Sequence, residues 1–436
     1  MGYAVPPAFT TLQCKLQLLN NKKTKMKRFS QLAAFMLAAC LAVNVASCSM
    51  MEEDRSDCPT GLYVRFVYDY NMQRADMFKD HVGCVVVYVY DEAGRKVAEK
   101  SVSNTPSASP LAQYAYTMHF TTGELPAGHT YRLQAVAMQR DWQQALATPG
   151  AKYRLSDTDT YGRLRMTLDH EAPTSSDPTH SAPSVVSNIA PLDTLWHSMK
   201  VTSLDPQFGY QAPAMQPTAK PYYTQPQEQT VTLREGYATY ATVSMMRDTK
   251  HLNITLRQIE EPEVLNADDY EVYILDRNST LGIDSLVQDS EGQERVAYAI
   301  GGDSLRYLPY AQWTTLYDGE HTTIDGDVHP STRTQVEERT AHFNFMLNRL
   351  RYGSIDQQAQ LIIRNRTTGI TVCRIGLASF LAECRMSPYW NYPAQEYLDR
   401  EYDYEMNFFL KGDRWSYCSI AVHVIPWAVR KQNEEL

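Results

Sequence analysis

Among the residues able to do chemistry, Cys48 has the most telling surroundings. It closes Val45-Ala46-Ser47-Cys48, behind an apolar run from Leu32 to Val45 and a basic stub, Lys22-Lys23-Thr24-Lys25-Met26-Lys27-Arg28. A basic stub, an apolar stretch of roughly 7–15 residues and small residues ahead of a cut make an export signal. A cysteine directly after the small pair makes it a lipobox, in which the thiol is acylated and Cys48 becomes the mature N-terminus. The run is shorter than the roughly 20 residues a spanning helix needs, and Asn44 interrupts it. Leu37-Ala38-Ala39-Cys40 is a second match, but it would leave Leu41-Ala42-Val43 exposed, whereas polar sequence follows Cys48 at once. Met26 is the expected start, because Lys27 and Arg28 then form a compact basic region.

Other chemistry is sparse. There is no GxSxG, no phosphate-cradling glycine loop and no HExxH, so no catalytic residues, metal or cofactor are assigned. His321, Asp325, Asp327 and His329 read as an acidic turn, since two carboxylates are too few for a calcium loop. Asp399, Glu401 and Asp403 read as a solvated face on a sheet edge. Five cysteines remain downstream of Cys48. Export permits disulfides, and Cys58 and Cys84, flanking the first strand and opening the next, are the candidate pair. Cys373, Cys384 and Cys418 read as small apolar core residues. Asp193-Thr194-Leu195, Asp284-Ser285-Leu286 and Asp303-Ser304-Leu305 match a short O-glycosylation pattern.

Composition bounds the rest. The 436 residues are 43% hydrophobic, enough for two domains with sizeable cores. Residues 1–47 hold six Lys/Arg and no acid, so from Cys48 onward 35 basic side chains face 50 acidic ones, a formal charge of -15. Such a body is unsuited to nucleic acid or anionic head groups. Membrane attachment therefore falls to acyl chains, and several on one cysteine meet the requirement for more than one lipid.

The elements that would carry these residues are strands. The 29 Tyr against 12 Phe suit pleated surfaces with one wet face. After a polar tether (48–57), Leu62, Val64, Phe66 and Tyr68 alternate with Arg65 and Asp69, a half-buried strand. Cys84 to Tyr90, Gly94 to Ser101, Tyr114 to Phe120, His129 to Met138 and Arg163 to Leu168 follow as strands, with no helix of any length among them. From 171 to 226 Pro, Ser, Thr and Gln dominate, a long stiffened loop between domains, with an ordered patch at Asp193 to Trp196. Beyond it Thr230 to Leu233, Tyr240 to Arg247, His251 to Gln258, Tyr270 to Asp276 and Arg295 to Ala299 are strands. Gln358 to Arg364 and Ile370 to Ile375 form a hairpin. Leu377, Phe380, Leu381 and Cys384 have helical spacing, and a helical turn spans Gln395 to Arg400. Tyr404 to Leu410 and the alternating Cys418, Ile420, Val422 and Val424 end the fold. The expected organisation is a signal peptide (1–47), a lipidated tether (48–57), an N-terminal β-sandwich (58–226) and a C-terminal β-sandwich (227–436).

Two stretches carry a resemblance. One runs from Asp57-Cys58-Pro59-Thr60-Gly61 through Asp76-Met77-Phe78 to Val85-Val86-Val87-Tyr88-Val89-Tyr90-Asp91-Glu92-Ala93-Gly94. The other is Gln395-Glu396-Tyr397-Leu398-Asp399-Arg400-Glu401-Tyr402, followed by Phe408-Phe409-Leu410 and the strand from Trp415 to Trp427. Together they resemble the FimB-type fimbrial anchor family, the lipoprotein minor subunits of type V pili. The resemblance implies an all-β fold of two tandem transthyretin-like (Greek-key) β-sandwiches and no enzymatic activity. It also implies fimbrial shaft subunits as partners and a lipid-held place in the outer membrane, exposed at the cell surface, where acids after the lipidated cysteine resemble a surface-export signal. Shaft subunits of such pili lose their first strand, and a neighbour's C-terminal strand fills the groove. Here the first strand should stay, so Arg55 and Arg74 beside it read as ordinary exposed arginines. The subunit is then expected to offer no groove and to contribute its own C-terminal segment to the next subunit, with Ile420, Val422, Val424 and Trp427 as the candidates for strand exchange. The alternative reading is a tip adhesin or carbohydrate-binding lipoprotein on the same sandwiches, favoured if tryptophans formed a concave cluster.

Overall fold

β-Branched and aromatic runs broken every few residues by turn formers give strands joined by tight turns. A computed structural model describes residues 59–172, 183–186, 189–204, 230–282, 286–288, 294–296, 304–322, 333–354, 358–387 and 390–422. The chain begins with β1 (Gly61–Val67), α1 (Phe78–His81), β2 (Cys84–Tyr90), β3 (Lys96–Ser103), β4 (Thr117–Phe120) and β5 (Thr130–Met138). Then come α2 (Trp142–Ala147), β6 (Tyr153–Ser156), β7 (Arg165–Leu168), β8 (Ser184–Val186) and β9 (Leu195–Leu204). β10 (Thr230–Thr232), β11 (Ala238–Arg247), β12 (Lys250–Gln258), β13 (Tyr270–Asp276), β14 (Thr280–Gly282), β15 (Leu286–Gln288) and β16 (Glu294–Val296) follow. β17 (Leu305–Tyr307), β18 (Ala311–Thr322), β19 (Arg333–Leu347), β20 (Gln360–Asn365) and β21 (Thr371–Gly376) lead to α3 (Leu377–Ala382). The last elements are β22 (Met386–Ser387), β23 (Trp390–Asn391), α4 (Ala394–Arg400), β24 (Asp403–Lys411) and β25 (Arg414–Val422).

The fold is an all-β sandwich built on three main sheets. The first has eight strands in the order β3-β2-β5-β9-β11-β1-β4, with β10 also beside β5. The second runs β18-β19-β12-β24-β25, and the third β21-β20-β13-β17-β8. A three-stranded sheet, β14-β7-β6, and two small hairpins complete it.

Two cores organise these sheets. Along β2, Val85, Val87 and Val89 enter one core while Tyr88 and Tyr90 enter the other. A strand covered on both faces reads as an unbroken apolar run, which is why Cys84 to Tyr90 shows no alternation. The first core holds Leu62, Val64, Phe66, Trp196 and Val243. The edges of its sheet meet where Lys100 Nζ, on β3, donates to the carbonyl of His119, on β4, at 2.6 Å. The second core lies between the inner faces of the second and third sheets, with Ile254, Phe343 and Phe408 facing Ile274, Leu361 and Ile363. Leu377 and Leu381 of α3 and Tyr397 and Leu398 of α4 are buried in it too.

The expected boundary at 226/227 is not where the sheets part. β10 and β11 come after it, yet belong to the first sheet, and β11 is the direct parallel neighbour of β1. Conversely Tyr153, Met166, Leu168 and Val186 come before it and line the second core. Proline-rich sequence marks where the ladder cannot run; which core a strand joins depends on pairing across long sequence separation. The long loop is also interrupted. β9 lies within it, extending the ordered patch expected at Asp193 to Trp196, and α2 is a helix where only strands were expected. Asp141 caps α2, its carboxylate accepting from the N–H groups of Gln143 and Gln144.

Candidate functional site

Three places bear on how such a chain could be held at one end and hold something at the other: the first strand, the joint between the sheets, and the last strand. β1 is seated between β11, parallel, and β4, antiparallel. Leu62 and Val64 are inaccessible, and Phe66 is 3% exposed. Tyr63, on the opposite face, stacks on His119 at 4.2 Å and on Tyr240 at 5.3 Å, a cross-strand row of three rings. Gly61 is required at the strand's start: its φ is +89°, and a Cβ there would lie 2.3 Å from the carbonyl oxygen of Phe120. After the strand, Asp76 Oδ1 accepts from the N–H groups of Tyr68 and Phe78 and fixes the turn. Arg74 sits exposed in that turn with φ 53°, its Nε donating to the Tyr392 hydroxyl at 2.8 Å.

The joint is the two-residue link between β11 and β12. Arg247, Asp248, Thr249 and Lys250 are all buried, which is costly unless every polar group is bonded. The Asp248 carboxylate meets His197 Nδ1 at 2.8 Å. Lys250 Nζ donates to the carbonyls of Glu401 (2.8 Å), Asp399 (2.9 Å) and Arg247 (3.4 Å). Arg349 grips both oxygens of Asp399 at 2.7 Å, a two-pronged charge-assisted pair. The Arg247 guanidinium lies 4.2 Å over the Tyr402 ring. Burial pushes the Lys250 ammonium down to about 7 and the Glu401 carboxyl up to about 7.

These contacts correct the expectation of a solvated acidic face. Asp399 and Glu401 are 1% and 2% exposed, and Asp403, half-buried, bonds His251 Nδ1 at 2.8 Å. The stretch Gln395 to Tyr402 is a structural latch whose guanidinium partner, Arg349, lies 50 residues away. No local pattern could announce it. Because these acids hold guanidinium, main-chain N–H or imidazole groups, they form no acid–base pair open to a substrate. Among the described residues no group of His, Cys, Asp and Glu could hold a metal, and no helix is long and apolar enough to cross a membrane.

The last strand, β25, pairs with β24 alone among the described residues, setting Ile420 opposite Met406 and Val422 opposite Tyr404. The structure therefore brings Ile420 and Val422 together at one sheet edge; Val424 and Trp427 lie outside the described residues. Trp415, Cys418 and Ile420 line the second core but are only half-buried.

Cys84 is buried at the start of β2 and makes no disulfide with another described cysteine; Cys48, Cys58 and Arg55 lie outside the described residues. Cys373 is buried, and Cys384 and Cys418 are half-buried against the second core. Burial pushes the thiols of Cys373 and Cys418 up to about 12, so they behave as small apolar groups. Thr194, a candidate for glycosylation, is 4% exposed and donates to Gln139 Oε1 at 3.1 Å; the fold excludes a sugar there. Asp284, Ser285, Asp303, Asp325, Asp327 and His329 lie outside the described residues. Trp196 is buried and Trp313 is 43% exposed on β18, so these two form no shared cluster.

The family model of fimbrillin-A associated anchor proteins Mfa1 and Mfa2 matches residues 55–433. No curated protein matches the chain. Among solved structures, the chain is similar to a candidate adhesin of Bacteroides thetaiotaomicron, with 22% identity, a TM-score of 0.55 and coverage of 84% of this chain and 97% of that one. A second protein of that organism, described as a candidate polysaccharide-binding protein, matches with 21% identity, a TM-score of 0.53 and coverage of 84% and 96%. A candidate adhesin of Bacteroides ovatus gives 20%, 0.51, and 84% and 95%. At these identities the structures speak for the fold. The match to the family model, covering most of the chain, identifies it as a member of the fimbrillin-A associated anchor proteins.

Proposed function

We propose that the chain is an outer-membrane lipoprotein, held by acyl chains on Cys48, that fastens a fimbria to the cell and ends the fibre at its base. The observation that carries the reading is the family match over residues 55–433. The seat of β1 supports it: a subunit that gives up its first strand opens a groove, and Leu62, Val64 and Phe66 fill the core here. β1 also lies in the covalent path from Cys48 to the body, so keeping the strand keeps the lipid attached. Contact with the fimbrial shaft is by strand exchange at the C-terminal end, through Ile420, Val422, Val424 and Trp427. Adding a strand to an edge gives affinity through the main chain and specificity through alternate side chains. A Cys58–Cys84 disulfide would staple the tether to β2. The role needs no catalysis.

The test is deletion of the gene with wild-type and Cys48→Ala complementation, counting fimbriae on cells and in cleared medium. Fibres shed in the deletion and in Cys48→Ala, but held by wild type, are expected. Fibres that stay attached while adhesion alone is lost would replace the anchor with the adhesin reading.

A further inference from the structure

We infer that the end of the second and third sheets farthest from the joint is a docking face for the first shaft subunit of the fimbria, and that it takes an apolar surface rimmed with basic side chains. This rests on the anchor reading and adds a contact between folded bodies to the strand exchange.

The strands give the fold a direction. β1 and β11, parallel, run from Gly61 and Ala238 toward the joint, and β12 and β24, also parallel, run away from it to Gln258 and Leu410. The tether joins the chain ahead of Gly61, so the lipid holds one end of this path and leaves the other for a partner. At that other end three connections gather. The N–H of Ile259 donates to the carbonyl of Leu410, Lys411 pairs with Glu260, and Asn365 Nδ2 donates to Asp413 Oδ1, each at 2.8 Å. The segment leaving β12 is thus set beside the β24–β25 turn, and that turn beside the one between β20 and β21.

The end they build is apolar at its centre and acidic around it. Ile259, Val264, Leu316 and Ile370 are 47–59% exposed. The other large aliphatic side chains exposed among the described residues, Val97 and Ile189, lie elsewhere, on β3 and ahead of β9. Exposed apolar groups gathered within a polar rim mark interaction sites. Lys411 neutralises Glu260, but Glu261 and Glu263 are exposed and make no ion pair among the described residues. A partner carrying Lys or Arg around an apolar centre meets both features.

The backbone adds two signs of a site that is held ready. Glu261 has φ 56° and ψ 57°, a left-handed conformation uncommon outside glycine; such residues persist where their surroundings hold them and gather at functional sites. Just after it, Pro262–Val264 lies against β19. β18 and β19 also continue past the last pairing with β12, Arg257 opposite Thr340, running from Leu316 opposite Arg339 to Thr322 opposite Arg333. A ribbon of only two strands is marginal in water, and a partner lying against it supplies the missing support.

The test uses the full lipidated chain, in the deletion strain and purified in detergent. Ile259→Lys with Val264→Lys removes two apolar side chains and sets like charges against a basic partner. Val97→Lys with Tyr114→Lys makes the same change at exposed positions of the first sheet's half. With both variants at the cell surface and melting as wild type does, the first pair is expected to raise the shed fraction of fimbriae by about tenfold. It should also lower co-sedimentation of the purified chain with fimbriae sheared from the deletion strain by about tenfold, and the second pair should change neither. Glu261→Gln with Glu263→Gln keeps the apolar centre and should remove most of the salt dependence of co-sedimentation. Fibres held normally by the Ile259/Val264 variant while Cys48→Ala sheds them would overturn this inference and leave the anchor reading standing; fibres held in both would remove both. Self-association of the purified chain that the same pair abolishes would assign the face to a second copy and overturn the inference too.

Discussion

β1 and β25 are both short, apolar strands, and their places in the sheets make them different objects. β1 has a neighbour on each side and buries Leu62 and Val64 completely. Among the described residues β25 has one neighbour and leaves Trp415, Cys418 and Ile420 half-covered although they face a core. Burial is thus conferred by what lies alongside a strand, and its own hydrophobicity only makes it eligible. The first strand is suited to holding the body together and the last to holding a partner. The joint at Arg247 to Lys250 links the two, since β11, the neighbour of β1, continues into β12, the neighbour of β24.

The contrast can be broken most forcefully at Val64. Val64→Asp puts a carboxylate in a sealed core with no partner and should cost about 4 kcal/mol or more, enough to abolish cooperative unfolding in urea. Ile420→Asp, at the open edge, should leave a folded chain. An intact Val64→Asp chain would show that β1 is not interior in solution.

Next in size is Arg349→Ala. It strands the buried Asp399 carboxylate and should cost about 3–5 kcal/mol in denaturant titration. Because the joint couples the halves, both should unfold in one transition. A variant that melts in two steps would separate the sheets and weaken the link between β1 and β25.

The joint also predicts a pH dependence. The Glu401 carboxyl is raised from its ordinary 4.5 to about 7, so its contribution is fully present below 4.5 and is lost as pH rises through about 7. Asp276, raised from 3.8 to about 7 by burial, acts in the same direction. The Lys250 ammonium is lowered from 10.5 to about 7, so its contribution is present above 10.5 and lost as pH falls through about 7. Together they place a dip in stability near pH 7. Lys250→Met should flatten the alkaline rise and leave the acid side unchanged in melts across pH; an unaltered alkaline limb would show that Lys250 stays charged in the fold.

The smallest effect sharpens the comparison. Leu62→Ala should cost about 2–5 kcal/mol and Ile420→Ala about 1 kcal/mol, since Ile420 is already partly in water. If the edge is occupied by a partner strand, the Ile420→Ala cost should grow in the assembled fimbria.

Much of the secondary structure was legible. Cys84 to Tyr90 and Tyr270 to Asp276 match the observed strands end for end, and the alternation from His251 to Gln258 marks β12. β19 was missed although Ala341, Phe343, Phe345 and Leu347 alternate into the core, because Glu337, Glu338 and Arg339 mask its first half. Trp196 and His197 of β9 sit in a loop-like composition, and their burial depends on Arg247 and Asp248 some fifty residues later. The latch at Gln395 to Tyr402 was recognisable as a motif, yet its acids looked exposed because polarity is visible locally and their partners are not.

The sequence by itself determined the lipobox pattern at Cys48, the all-β class and the resemblance to an anchor family, since each rests on local order or periodicity. The tertiary structure decided the rest: that β11 joins β1 beyond a proline-rich break, that Asp399 and Glu401 are buried and bonded, and that β25 is an edge among the described strands. The reason is physical. Periodicity fixes which face of a strand is apolar, but the neighbour that covers it is chosen by contacts among segments far apart in the chain.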